Sequence, residues 1–178
     1  MREEPFSRVI RVEAVPREGQ TVTIEANAVE REQLADFLKL PSIQSLKASF
    51  TLARWGNGGL TVFGSVHAEL TQVCVVSLEP FPATVDEEVG IRFAPRADDG
   101  AARVAPREPG SFSMAGEDDP DPIVDGKVDL GAVTTEFFAL GLDPYPRKPG
   151  VMFDSPEEPE TTVSPFSALA SRAGKKSD

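Results

Sequence analysis

The sequence predicts an α+β domain over residues 5–153, with a mainly antiparallel sheet, either open or barrel-like, and two or three packing helices. Three observations predict it. Apolar and polar residues alternate through 46–52 and again through 60–71, which is the period of a half-buried strand. Glycine and asparagine fill the connection at 56–59, as in a hairpin turn. Two helical apolar stripes each follow a capping residue, Asn27 and Asp129.

Two short strands are predicted before this hairpin and one after it. The first two cover 7–14 and 21–26, because β-branched residues recur there on either side of a turn at 16–20. The later strand covers 84–93. Its inward side chains are predicted to be Val89, Ile91 and Phe93.

The two helices are predicted from their caps and their apolar spacing. Asn27 and Glu30 have the spacing of a capping box, and Leu40-Pro41 ends that helix because proline disfavours helical geometry before it. Asp129 caps the second helix. The predicted buried stripes are Val29, Leu34, Phe37 and Leu38 in the first helix, and Leu130, Val133, Phe137, Leu140 and Leu142 in the second, with Phe138 flanking.

Two segments outside these elements are predicted to lack a core. Residues 97–122 are rich in alanine, arginine, aspartate, glycine and proline, which is typical of a flexible loop. Residues 154–178 form an acidic linker and then a short C-terminal helix. Ser164 caps this helix, and Pro165 occupies its first turn.

The charge balance restricts the class of partner. The chain of 178 residues has a net charge of −11, which repels phosphate backbones and favours basic partners, although acidity also keeps a small protein soluble. One cysteine allows no internal disulfide. The first residues lack the apolar core of a signal peptide, and no apolar run is long enough to span a bilayer. We therefore expect a cytoplasmic protein without a membrane partner.

No motif in the chain predicts catalysis. Phosphate-loop, dinucleotide-binding and nucleophile-elbow patterns are absent from the sequence, and so are the spacings of a zinc site. His67 falls on the polar face of a strand, where a solvated or hydrogen-bonded histidine is the default. The acidic cluster around 117–125 lacks the spacing of an EF-hand loop. We expect no catalytic residue, no metal and no cofactor, and most phenylalanines, Phe63 and Phe153 among them, are interpreted as core.

Three stretches together resemble the YceD family, the large ribosomal RNA subunit accumulation proteins of bacteria and plastids. They are Gly64–Pro80, Val128–Gly150, which contains Asp-Pro-Tyr-Pro-Arg-Lys-Pro-Gly at 143–150, and Ser164–Ala170. The resemblance spans about residues 5–173, and its 143–150 stretch is similar to alphaproteobacterial members. It implies a role in ribosome biogenesis without enzymatic activity. Many relatives carry Cys-x-x-Cys where this chain has Cys74 and Ser77, so we expect Cys74 to be a small buried residue that binds no metal.

The candidate partner-binding residues are Tyr145, Arg147 and Lys148, with Phe166 and Leu169 on the predicted C-terminal helix. Three prolines pre-set the shape of the 142–150 segment, which lowers the entropy lost on binding. The alternative is a turn that only leads the chain across the sheet, with Tyr145 packed on the core. We expect the partner to be a basic ribosomal protein or a pre-50S particle. Direct contact with rRNA is the alternative, and an enzyme acting on a small molecule is a third hypothesis.

Overall fold

The computed structural model describes residues 5–56, 58–95 and 120–153. The predicted loop at 97–122 lies outside these residues except for its last three positions, of which Asp121 and Pro122 belong to a short strand. The predicted linker and C-terminal helix at 154–178 lie outside them as well, so Phe166 and Leu169 stay predictions.

The described chain forms a five-stranded sheet, a two-stranded sheet and two helices. In chain order the elements are β1 Val9–Arg11, β2 Gln20–Glu25, α1 Ala28–Leu38, β3 Ser42–Trp55, β4 Gly59–Val73, β5 Pro80–Pro95, β6 Asp121–Ile123, β7 Lys127–Asp129 and α2 Leu130–Leu140. Strands β2, β3, β4 and β5 pair antiparallel in that order, and β6 pairs in parallel with the end of β5. In the smaller sheet, β1 pairs with β7.

The α+β class predicted from the sequence is confirmed, and the sheet is open. No pairing between β2 and β6 closes a barrel within the part of the chain described. The alternation in β3 and β4 has the predicted effect, because one face of the central hairpin is buried and the other is solvated. Its fully buried members are Leu46, Ala48, Phe50, Leu52, Leu60, Val62, Val66, Ala68 and Leu70.

Arg8, near the N-terminus, ties the two helices to each other. The guanidinium of Arg8 donates to both carboxylate oxygens of Glu30 in α1, at 2.7 and 2.9 Å, and its backbone N–H donates to Asp129 at the start of α2. Phe6 is buried below the Arg8 guanidinium, 4.6 Å from it to the ring centre. The hydrogen bonds from Arg8 lower the pKa of Glu30. The contacts of Arg8 therefore fix the position at which α2 begins.

Both predicted helix caps are present. The side chain of Asn27 accepts from the backbone N–H of Glu30 at 3.0 Å, and the Glu30 carboxylate accepts from the N–H of Asn27. Asp129 accepts from the N–H groups of Gly131 and Ala132.

We expect Asn27→Ala to lower the free energy of unfolding by about 1 kcal/mol, because it orphans one backbone donor and opens the capping box. Urea denaturation measures this change as a lower midpoint urea concentration, with the dependence of the unfolding free energy on urea unchanged. Asn27→Ser is the control, and it should retain most of the stability since serine also caps well. Equal stability of the alanine and serine variants would contradict the assignment.

Several apolar side chains predicted as core are exposed. Strand β4 places Phe63 on its solvent face, where the ring lies beside Gly90. The predicted strand at 7–14 continues as a 3-10 turn after Arg11. In α2 the spacing 130, 134, 138 faces the core, so Phe138 is fully buried and Leu140 is exposed. The other exposed members of the predicted core are Val29, Phe37 and Phe153.

Candidate docking surface

A tight turn, residues 74–79, connects β4 to β5 at the end of the sheet away from the β3–β4 hairpin. The N–H of Cys74 donates to the carbonyl of Glu79, and the N–H of Leu78 donates to the carbonyl of Cys74, each at 2.9 Å. Two apolar side chains of this turn, Val75 and Leu78, are exposed. The turn therefore presents an ordered apolar surface to solvent.

The 142–150 segment is bound to this turn. The N–H of Val75 donates to the carbonyl of Pro146 at 2.9 Å, and the ammonium of Lys148 lies 2.8 Å from the carboxylate of Glu79. Gln72 of β4 also donates to the carbonyl of Asp143. These contacts join segments about seventy residues apart, so that the turn and the 142–150 segment form one surface.

Tyr145 lies at the centre of this segment and is 73% exposed. The alternative in which its ring packs on the core is therefore wrong. Asp143 accepts from the backbone N–H of Tyr145 at 2.8 Å, a local bond that fixes the backbone below the exposed ring. We name Val75, Leu78, Tyr145 and Arg147 the end surface.

The two predicted cations have different surroundings. Arg147 is exposed, and it forms no ion pair with the other residues that the structure describes. Lys148 is half-buried in its pair with Glu79, and their hydrogen bond raises the pKa of Lys148 and lowers that of Glu79. Lys148 therefore holds the two segments together, and Arg147 is the cation available to a partner.

Leu78 has a left-handed backbone, with φ at 59°. This conformation costs a residue with a Cβ about 1–2 kcal/mol, and glycine adopts it freely. The leucine side chain is 76% exposed, so the hydrogen bonds of the turn, and not burial of this side chain, hold that conformation. Backbone strain of this kind clusters at functional sites, which makes Leu78 a candidate for partner contact.

Cys74 is fully buried, as predicted, below the end surface. Its sulfur accepts from the backbone N–H of Ser77 at 3.4 Å. Hydrogen bonds from the side chain and the backbone of Ser77, with smaller contributions from the backbone of Lys148 and Val76, lower the pKa of Cys74 to about 6, and burial opposes them. The Cys74 thiol is thus a hydrogen-bond acceptor at the base of the turn.

We expect Cys74 to titrate near pH 6, and the ultraviolet absorbance of the thiolate reports on it directly because it is the only cysteine. An unfolded thiol titrates at about 8.5. Between these values the unfolded state binds more protons, so the free energy of unfolding should rise with pH there, relative to Cys74→Ala. A titration midpoint of Cys74 near that of a free thiol would contradict the hydrogen bonds to its sulfur.

Other candidate sites show no catalytic geometry. His67 is exposed and bonds Asp86 across the sheet at 2.6 Å, as expected of a surface histidine. A pocket of about 640 Å³ beside the β3–β4 turn is lined by Glu13, Arg17 and Arg54, and Arg54 donates to the Glu13 carbonyl. Among the described residues no three histidine, cysteine or acidic side chains are placed to hold a metal ion.

Sequence reasoning found Tyr145 and Arg147 but missed the other half of the end surface. Val75 and Leu78 read as ordinary apolar residues, and no local signal marks the pair between Lys148 and Glu79. The one available signal was the glutamate and proline after Leu78, which indicate a turn that presents its preceding residue to solvent.

The described chain is thus an α+β protein with an ordered apolar surface at one end of an open sheet. A family model described as "Large ribosomal RNA subunit accumulation protein YceD" matches residues 62–171, which is more than half of the chain. The chain belongs to this family, and membership implies a role in the accumulation of large-subunit rRNA. The description names no enzymatic activity.

The matched residues include β4 from Val62 onward, all of β5 and α2, and the end surface. Searches of curated proteins and of solved structures find no match. No helix in the part of the chain described is long and apolar enough to cross a membrane.

Proposed function

We propose that the protein is a non-catalytic, cytoplasmic assembly factor that supports accumulation of 23S rRNA by docking on a basic ribosomal protein of the large-subunit precursor. The observation that carries the proposal is the exposed Tyr145 on a segment already fixed by Asp143, Val75 and Lys148. An aromatic side chain on an ordered backbone loses little entropy on binding, and such residues anchor protein interfaces.

Charge favours a protein partner over rRNA. Residues 1–55 carry 8 basic and 8 acidic side chains, and residues 56–178 carry 10 and 21, so the half that bears the end surface holds the whole net charge of −11. Phosphate binding needs a local basic patch, and the end surface offers Arg147 alone because Lys148 is paired. A lysine- and arginine-rich protein meets a complementary field.

Leu78→Gly separates docking from folding. Glycine removes both the exposed side chain and the left-handed strain, so the free energy of unfolding should stay equal or rise by about 1 kcal/mol. Association with large-subunit precursors in a gradient should nevertheless weaken by about tenfold, as for a central interface residue. Val29→Ala, which shortens an exposed side chain on α1, is the control and should bind like the parent.

Tyr145→Ala and Arg147→Glu test the other half of the end surface. Both should remain folded, because these side chains are exposed. Tyr145→Ala should reduce precursor association and 23S rRNA in cells, whereas Arg147→Glu removes a cation that a basic protein repels and should not weaken that association. Arg17→Glu reverses an exposed charge at the opposite end and should have no effect. A folded Tyr145→Ala variant that binds and complements like the parent would refute docking. Loss of binding to naked rRNA in Arg147→Glu, with steep salt dependence, would favour direct RNA contact.

A further inference from the structure

Strand β5 is a long free edge within the described chain. It pairs with β4 along nearly its whole length, but on its other side β6 covers only Phe93–Pro95. In an antiparallel pair, alternate residues direct their backbone N–H and C=O groups away from the partner strand. Residues 83–91 therefore present a row of backbone donors and acceptors that no described strand uses.

A groove of about 410 Å³ adjoins this edge. It lies where the uncovered part of β5 meets β6, and its lining includes Ile91 and Phe93 of β5, Asp121 and Pro122 of β6, and Ala132 and Val133 of α2. A strand added beside β5 would direct every second side chain to the core side of the sheet, and the side chain nearest Ile91 would lie at this groove. Backbone bonds and side-chain pockets occur together when proteins bind extended peptides at a sheet edge.

The charges around the edge select the occupant. Asp86, Glu87 and Glu88 are consecutive in β5, with Asp86 bonded to His67. The groove is bordered by the carboxylates of Asp121, Asp125, Asp129 and Glu136 against the ammonium of Lys127, so carboxylates outnumber cations around it. Two copies of β5 would bring like charges together, which disfavours self-pairing. A segment rich in lysine or arginine gains from the same carboxylates.

We propose that β5 and its groove bind an extended basic segment of the partner as an added strand, with medium-sized apolar side chains entering the groove. This inference rests on the proposed function for the identity of the partner. It adds the chemistry of the partner segment that binds the β5 edge. The end surface then holds a folded part of the partner, and the β5 edge holds an extended part.

The probe is a peptide of about ten residues that alternates lysine with valine, the length of an ordinary strand. It should bind the full chain and slow hydrogen exchange at alternate amides of residues 83–91. N-methylation of alternate peptide residues removes backbone bonds but keeps the charge, so it should weaken binding by about tenfold. Equal binding of the methylated peptide, or binding without protection of β5, would overturn the proposal.

The charge contribution has a matched control. Asp86→Asn with Glu88→Gln should weaken the peptide by about tenfold. Glu32→Gln with Asp36→Asn changes the net charge equally on the exposed face of α1 and should not. If both double variants lose the same peptide affinity, the charges act only by long-range attraction, which refutes the proposal. Slow exchange of these β5 amides in the free chain would also refute it, because the edge would then already be occupied. Because precursor association is measured separately, failure of the peptide leaves the proposed function standing, and failure of the parent to associate refutes that function.

Discussion

Gly64→Ala is expected to lower the free energy of unfolding by about 3 kcal/mol, the upper end of the usual range for overpacking. Gly64 lies on the buried face of β4, directly opposite Phe50 of β3. A Cβ on Gly64 would overlap the carbonyl oxygen of Ser49 and lie 2.9 Å from Cα of Phe50. These are backbone atoms of the neighbouring strand, so no side-chain rotation relieves the clash and the two central strands must separate.

Gly90→Ala is the control for this variant. Gly90 lies on the solvent face of β5, where a Cβ would meet the ring of Phe63 at 3.6 Å, an ordinary van der Waals contact. We expect its stability to stay within about 0.5 kcal/mol of the parent, as for most surface changes. Urea denaturation of both variants decides the matter. A Gly64→Ala protein as stable as Gly90→Ala would contradict the strand register.

Phe138→Ala is expected to cost about 3–5 kcal/mol, the range for removing a buried phenylalanine. Phe138 is fully buried on the core face of α2, and this helix leads directly into the 142–150 segment. The loss should therefore weaken precursor association as well as stability. Leu140→Ala removes a side chain that is 72% exposed two residues later, and its stability should change by less than about 0.5 kcal/mol. A larger loss of stability in Leu140→Ala than in Phe138→Ala would contradict the burial of this face of α2.

The elements predicted correctly depend on short-range patterns. The alternation through residues 46–52 has the period of a pleated strand, and Asn27 with Glu30 forms a capping box within one helical turn. Such signals need no knowledge of distant residues. The three-residue strands β6 and β7 carry too little pattern to be recognised, and long-range pairing with β5 and β1 defines them.

The features that were mispredicted depend on contacts far apart in the chain. A helical stripe does not reveal which of Phe137 and Phe138 points at the sheet, and the anchoring of α2 by Arg8 and Asp129 decides it. The pair between Lys148 and Glu79 was not predicted either, because it joins two distant segments, and partner binding by Lys148 stays a prediction. The candidate site was therefore half predictable: its exposed aromatic follows from local sequence, and its partner turn does not.

Photo-crosslinking from position 145 tests the central claim most directly. An aromatic photo-reactive residue in place of Tyr145 keeps a flat ring at the end surface, and the same residue at the exposed Val29 is the control. Products formed with large-subunit precursors are scored separately for protein and for RNA. The account predicts a crosslink from position 145, absent from position 29, to a basic ribosomal protein. Crosslinks to rRNA alone, or the same products from both positions, would contradict it.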